Sequence, residues 1–293
     1  MARARSVYKT EEGRRAMAGW YDHFVDRLGR DRITFEQVDT RHGRTNVLIA
    51  GSPERPPLWC FHGAMSSAPA ALAQVPELIE RFQIFFPDTV GQPGRSDETL
   101  LDWQGEDHGH WVNDVLDGFG VERTRALGCS LGGYVLLRAA QVRPERFERI
   151  ALWVPGGVIK PSYANMFGLI GAGLAYAIRP TRARLERVMS KTFTDFDDDY
   201  VGFFADSLAH VHPDRRFPAT LPDGALDGLD APTMLVTHEH DTVFPAGALE
   251  ARASTLIPNL TETLRVPGAR HMPPFDAAKL AGIVDPIVAF LEA

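Results

Sequence analysis

Arg125-Ala-Leu-Gly128-Cys129-Ser130-Leu131-Gly132-Gly133-Tyr134-Val-Leu-Leu-Arg-Ala-Ala140 is an apolar run, a turn of small residues and a helical run in direct succession. Its centre, Gly128 to Gly132, fits the pattern G-x-S-x-G, in which a sharp strand-to-helix turn lifts a serine hydroxyl to the edge of a sheet. The turn strains the serine backbone, so its flanking residues must be small if the helix is to fold back on the strand. Gly133 relaxes the same packing. Taken alone, these residues also fit a glycine-rich turn whose serine caps the helix. The nucleophilic reading needs a strand before the turn and a helix after it, and the flanks supply both. Ser130 is therefore the candidate nucleophile.

On the N-terminal side, 7–29 carries a partial apolar stripe that predicts a helix, and 33–39 and 45–50 read as strands around the His42-Gly43 turn. Residues 58–61 form a short apolar run suited to a strand buried on both faces, 68–81 predicts a helix, and 84–86 a further strand. Residues 89–100, rich in Gly, Pro and Asp, read as a loop, and 104–118 as a helix. Strands at 124–127, 150–154, 234–237 and 264–266 alternate with helices at 131–142, 246–257 and 276–291. Such alternation builds a mostly parallel sheet with helices on both faces. It breaks at Pro155 and resumes near Ala231. The interval 155–230 is helix-rich and carries aromatics such as Tyr163, Phe167, Tyr176 and Phe193. It predicts a helical cap inserted after strand six into a core made of 1–154 and 231–293.

Phe61-His62-Gly63-Ala64-Met65 follows the buried run at 58–61. With the serine motif, it resembles the α/β-hydrolase superfamily, in which a His-Gly pair follows the third strand. The resemblance covers about 45–293 and implies the α/β-hydrolase fold, with a mostly parallel eight-stranded sheet. It also implies an oxyanion hole made by the backbone N–H groups of Ala64 and Leu131. Met234-Leu-Val-Thr-His-Glu-His-Asp241-Thr-Val-Phe-Pro245 looks like the end of the family's seventh strand, where the catalytic acid precedes a proline by four residues. That implies Asp241. Leu264-Arg-Val-Pro-Gly-Ala-Arg-His271 looks like the following strand and its histidine loop, which implies His271. The order Ser, Asp, His is the one this fold uses. Each member has a chemical reason: a neutral hydroxyl needs a base to take its proton, and the imidazole needs a carboxylate to fix its tautomer. Glu239 stays open as a second candidate acid. The other position some members use, after the sixth strand, is 155–160 here and holds no carboxylate. Where the family often has glycine, this chain has His238 and Arg270, which add bulk and charge beside the acid and the base.

A net charge of −7 argues against polyanionic partners. Cys60 and Cys129 sit in apolar runs and read as buried free thiols in a reducing compartment. The basic start, 1–5, leads into no secretory apolar segment, so a cytoplasmic location is expected. The longest apolar stretch, 166–178, falls short of the roughly 20 residues a membrane span needs and reads as a buried or lid helix. His238-Glu-His240-Asp241 has the wrong spacing for a metal cluster, and His108-Gly-His110 reads as the start of an exposed helix. Asp195 to Asp206 echoes a calcium loop but has Tyr200 where glycine is required, and reads as solvated acids opening a cap helix. Arg179, Arg182, Arg184, Arg187 and Lys191 read as a solvated face able to pair with those acids.

The chain looks most similar to small capped serine carboxylesterases. The expected activity is hydrolysis of a small to medium hydrophobic ester through an acyl-enzyme on Ser130, with no cofactor, no metal, and no nucleic-acid or membrane partner. Two rival readings are carbon–carbon bond hydrolysis of a meta-cleavage type product and a non-catalytic ligand receptor on the same fold.

Overall fold

The computed structural model describes residues 6–212, 214, 216 and 218–293, without the side chain of Tyr163. The basic start 1–5 and the Tyr163 ring, both part of the sequence reading, lie outside the described residues. In chain order the elements are α1 (Glu11–Leu28), β1 (Ile33–Thr40), β2 (Gly43–Ala50), β3 (Pro57–Phe61), α2 (Ala68–Leu72), β4 (Gln83–Pro87), α3 (Asp107–Gly118), β5 (Thr124–Cys129), α4 (Leu131–Val142) and β6 (Phe147–Trp153). After β6 come α5 (Tyr163–Ile178), α6 (Arg182–Met189) and α7 (Asp198–His210), then β7 (Thr233–His238), α8 (Ala246–Leu256), β8 (Leu260–Val266) and α9 (Ala277–Glu292).

The eight strands form one sheet in the order β1-β2-β4-β3-β5-β6-β7-β8. β2 is antiparallel to β1 and β4, and the remaining neighbours are parallel. The central strands read as unbroken apolar runs because both faces are covered. Leu58 and Cys60 of β3, Leu127 of β5, Ala151 and Trp153 of β6, and Met234 and Val236 of β7 point into one core, filled from α1 and α9. Their neighbours Trp59, Phe61, Ala126, Ile150, Leu152 and Leu235 point into the other, filled from α3, α4 and α8. The period of two is kept, but neither face meets water. The C-terminal ends of β5 and β7 therefore rest on a doubly packed base, with the more exposed edge strand β8 beside them.

Three sequence expectations need correction. The first helix starts at Glu11 rather than residue 7: Thr10 caps it by accepting from Gly13 N at 3.0 Å, and Tyr8 pairs in extended form with Val211. The helix expected at 68–81 is short α2 followed by a 3₁₀ turn at Pro76–Glu80, because Pro76 lacks the N–H needed to continue the ladder. His108 is not on an exposed helix start. It is 2% exposed and stacks on Trp103, ring centroids 4.4 Å apart.

Of the three helices between β6 and β7, α7 packs on α1, and α5 packs on α6. Trp20 Nε1 donates to Asp206 at 2.7 Å, Phe24 and Phe203 meet edge to face, and Tyr200 donates its hydroxyl to Ala70 O at 2.7 Å. The acids that echo a calcium loop are engaged within the protein. Asp195 accepts from Phe275 N and Asp276 N, and Asp197 caps α7 while pairing with Arg27.

Candidate active site

Ser130 sits between β5 and α4 with φ 51° and ψ −109°, a left-handed region that a non-glycine residue rarely enters. Its neighbours explain why the turn is built of glycine. A Cβ on Gly132 would lie 1.9 Å from Phe61 O, and one on Gly128 would lie 2.6 Å from Gly132 O. Ser130 is pinned from both sides: its N–H donates to Trp153 O at 2.9 Å, and its carbonyl accepts from Gly156 N at 2.8 Å. The strain is held by backbone bonds from the neighbouring strand.

The three residues expected from the sequence come together. Ser130 Oγ lies 3.0 Å from His271 Nε2, and His271 Nδ1 lies 2.8 Å from Asp241 Oδ2. Asp241 is buried, and its other oxygen accepts from Val243 N at 2.7 Å and Phe244 N at 3.0 Å. Burial works to raise its pKa, but the His271 imidazole and the two amides outweigh that and hold it below the usual carboxylate range. Glu239, the other candidate acid, is exposed and accepts from Gly268 N at 2.8 Å, while Asp241 is the carboxylate bonded to His271. Cys129, next to the serine, is a free thiol pushed up to about 12 by burial and by the Asp241 charge. A thiol so rarely ionised is a poor nucleophile.

Ala64 and Leu131 line the same cavity as Ser130 and His271. Leu131 opens α4, so its N–H is one of the donors that a helix N-terminus leaves without an intrahelical partner. His62 is buried, its Nε2 accepts from Thr89 N at 3.0 Å, and its Nδ1 lies 2.8 Å from Gly63 O. The first bond leaves the ring proton on Nδ1, which donates to the Gly63 carbonyl. Across a trans peptide the following N–H, that of Ala64, points the opposite way.

The cavity above Ser130 has a volume of about 470 Å³. The 89–100 loop gives it Gly91, Gln92, Pro93 and Leu100, and Gln92 Oε1 accepts from Met65 N at 2.9 Å. Asp88 braces this loop from below: its carboxylate accepts from Tyr21, Asn46, Ala68 N and Arg95 N. The chain between β6 and β7 adds Ile159, Pro161, Val211 and Pro218. Arg216 and Asp214, also in the wall, pair at 2.7 Å, and Asp214 accepts from Trp103 Nε1 at 2.8 Å.

Sequence reasoning missed two parts of the site. Ser6 and Val7, from before the first helix, form part of the cavity wall. Glu98 ties them down by accepting from Ser6 Oγ at 2.6 Å and Val7 N at 2.7 Å. No local pattern marks a contact between residues this far apart in sequence. His238 stands out in the sequence as a departure from glycine and in a mis-spaced metal pattern, neither of which points to its partners, Trp153 and the Arg270 carbonyl.

A family model described as alpha/beta hydrolase family matches residues 47–283. Carboxylesterase YbfK of Bacillus subtilis is 24% identical over 246 residues, covering 80% of each chain. The crystal structure of naproxen esterase from Bacillus subtilis superposes with a TM-score of 0.79 at 20% identity, covering 96% of this chain and 98% of that one. A 2-hydroxy-6-oxo-6-phenylhexa-2,4-dienoate hydrolase from a Rhodococcus strain superposes with a TM-score of 0.66 at 18% identity, covering 89% and 99%.

Proposed function

Because this chain belongs to the alpha/beta hydrolase family, we propose that it is a serine carboxylesterase acting on esters with apolar acyl or alcohol groups of modest size. The observation that carries this is the hydrogen-bonded line from Ser130 through His271 to Asp241 at the base of a mostly apolar cavity. Likeness to the Bacillus carboxylesterases supports the same reading.

In the proposed reaction Ser130 Oγ attacks the ester carbonyl carbon while His271 Nε2 takes the hydroxyl proton. Asp241 holds the imidazole in the tautomer with Nδ1 protonated and stabilises the imidazolium. The carbonyl oxygen, now an anion, is held by the Ala64 and Leu131 N–H groups, donors of the kind whose loss costs roughly 10²–10³ in rate. His271 then gives the proton to the departing alkoxide, which leaves an acyl-enzyme. Water attacks that ester as His271 takes its proton, and the acid departs with Ser130 restored. The two ends of segment 155–230, through residues such as Ile159, Pro161, Val211 and Pro218, act as the cap wall that selects the acyl group.

Carbon–carbon hydrolysis of a dienoate is less well served by this cavity. Such a substrate carries a carboxylate, and among the described lining residues the guanidinium, that of Arg216, is already engaged by Asp214. The test is labelling with a fluorophosphonate together with turnover of p-nitrophenyl esters. One adduct on Ser130 and loss of turnover in Ser130→Ala are expected. Full turnover in that variant would overturn the assignment, and ligand binding without turnover in the parent would favour a receptor.

A further inference from the structure

α5 is sixteen residues long, Tyr163–Ile178, and contains no charged side chain. An apolar helix in a globular protein is ordinarily buried. This one is not: Ala172 is its one buried residue among those described. Phe167 is 80% exposed, Leu174 62% and Ile178 84%, and with Ile170 they account for four of the six large hydrophobics exposed in the described chain. Tyr176 packs against the small core of α6 and α7, which holds one side of the helix and leaves the rest bare.

The surroundings of α5 are cationic. From 155 to 194 the sequence has six Lys or Arg and a single carboxylate, Glu186, in a chain whose net charge is −7. Arg182 is neutralised by Glu186 and Asp198. Among the described residues, Lys160, Arg179, Arg184, Arg187 and Lys191 have no carboxylate at ion-pair distance. These cations flank the bare helix. Arg184 donates to Ala175 O at 2.8 Å at its C-terminal end, and Lys191 Cε lies beside Gly168. Lys160 is three residues before its start.

We propose that α5 is a membrane-surface helix, lying in the headgroup layer of an anionic lipid bilayer. This goes against the sequence expectation of no membrane partner and does not rest on the esterase reading. Sixteen residues span about 24 Å, less than the roughly 30 Å of a hydrocarbon core, and no described helix is long and apolar enough to cross a membrane. An in-plane helix with basic flanks is the geometry that binds such surfaces. A second copy of this chain is a poorer occupant, because a two-fold contact through α5 would bring two cationic rims together. The helix is also joined to the cavity mouth. Pro161 lines the cavity, and Ser162 N donates to the carbonyl of Val243, another lining residue, at 2.9 Å.

The test uses the full chain carrying Ser130→Ala, so that binding is read without turnover, in co-sedimentation with phosphatidylglycerol/phosphatidylcholine vesicles and with phosphatidylcholine alone. Preference for the anionic vesicles, weakened by salt, is expected. At least a tenfold loss is expected from Phe167→Ser/Leu174→Ser/Ile178→Ser and from Arg179→Glu/Arg187→Glu. In the Ser130 background, these surface variants should hydrolyse a short water-miscible ester like the parent, which shows that they are folded. A chain that stays off anionic vesicles at low salt overturns the proposal. So does a triple variant that binds like the parent, or a solution dimer that the triple variant dissociates.

Discussion

Trp153 donates its indole N–H to Nε2 of His238 at 2.8 Å, joining two buried rings at the C-terminal ends of the adjacent parallel strands β6 and β7. An indole can only donate, so the His238 proton resides on Nδ1. That nitrogen donates to the carbonyl of Arg270, the residue before His271. The tautomer of one histidine thus fixes the loop that carries another. Glycine at 238 could not do this.

Removing this brace should loosen His271, the proposed base, without touching the substrate. His238→Gly is expected to lower kcat about tenfold, equivalent to about 1.4 kcal/mol of barrier, with KM little changed. His238→Gln, which can both donate and accept, should recover part of the loss. Trp153→Phe frees the tautomer but leaves the ring in place, so a smaller fall is expected. Steady-state kinetics on one p-nitrophenyl ester decides this, and a change in KM with kcat intact would count against it.

The same residue should be visible in acid stability. Burial, the largest influence, pushes the His238 pKa down from 6.5 to about 4, against the opposing pull of the Arg270 carbonyl. Between those values the unfolded chain binds a proton that the folded chain refuses, so stability falls as pH drops through the window and levels off below about 4. A shift of this size amounts to about 3 kcal/mol. Urea denaturation of parent and His238→Gln at pH 7, 5.5 and 4 measures the difference, and parallel pH profiles for the two chains would refute it.

The part of the site that could be read from sequence is the part written locally. Ser130 is announced by the glycines that its turn requires, and Asp241 and His271 are implied by resemblance to the family, through the proline four residues after the acid and the histidine loop after a late strand. The central strands could be read because parallel, doubly covered strands need continuous apolar residues. What could not be read depends on distant chain. Residues 7–10 look like the start of a helix until Val211 pairs with Tyr8. His108 looks like a surface residue until Trp103 covers it. The apolar run of α5 reads as buried or lid-forming on composition alone, and only the packing of its neighbours leaves it bare.

His62 should act on the oxyanion through a single peptide plane. Because it holds the Gly63 carbonyl, it aims the Ala64 N–H from behind. His62→Ala is expected to cut kcat roughly tenfold to a hundredfold, less than or equal to the loss of one oxyanion donor, with KM nearly unchanged. Ser130 should still react with a fluorophosphonate, only more slowly. An unaltered kcat in a folded His62→Ala chain would show that the loop holds its own geometry.

Glu98 governs the opposite wall. Its carboxylate accepts from Ser6 Oγ and Val7 N and pairs with Arg14, while the Val7 carbonyl accepts from His212 N at 2.8 Å. The N-terminal segment is therefore stitched to the 89–100 loop on one side and to the chain after α7 on the other. Burial disfavours the Glu98 charge, but Ser6, Arg14 and the Val7 amide outweigh it and keep the carboxyl below its ordinary range, so the latch stays closed near neutral pH. Glu98→Ala removes the acceptor and leaves the triad alone. The expected result is a KM that rises roughly threefold to tenfold, about 1 kcal/mol, for the larger acyl esters that fill the cavity, with acetate esters and kcat little affected. Glu98→Gln keeps an acceptor for Val7 N and should lie between. A KM series across acyl lengths checks this. An equal rise for acetate, or a fall in kcat alone, would mean that Ser6 and Val7 do not wall the acyl pocket.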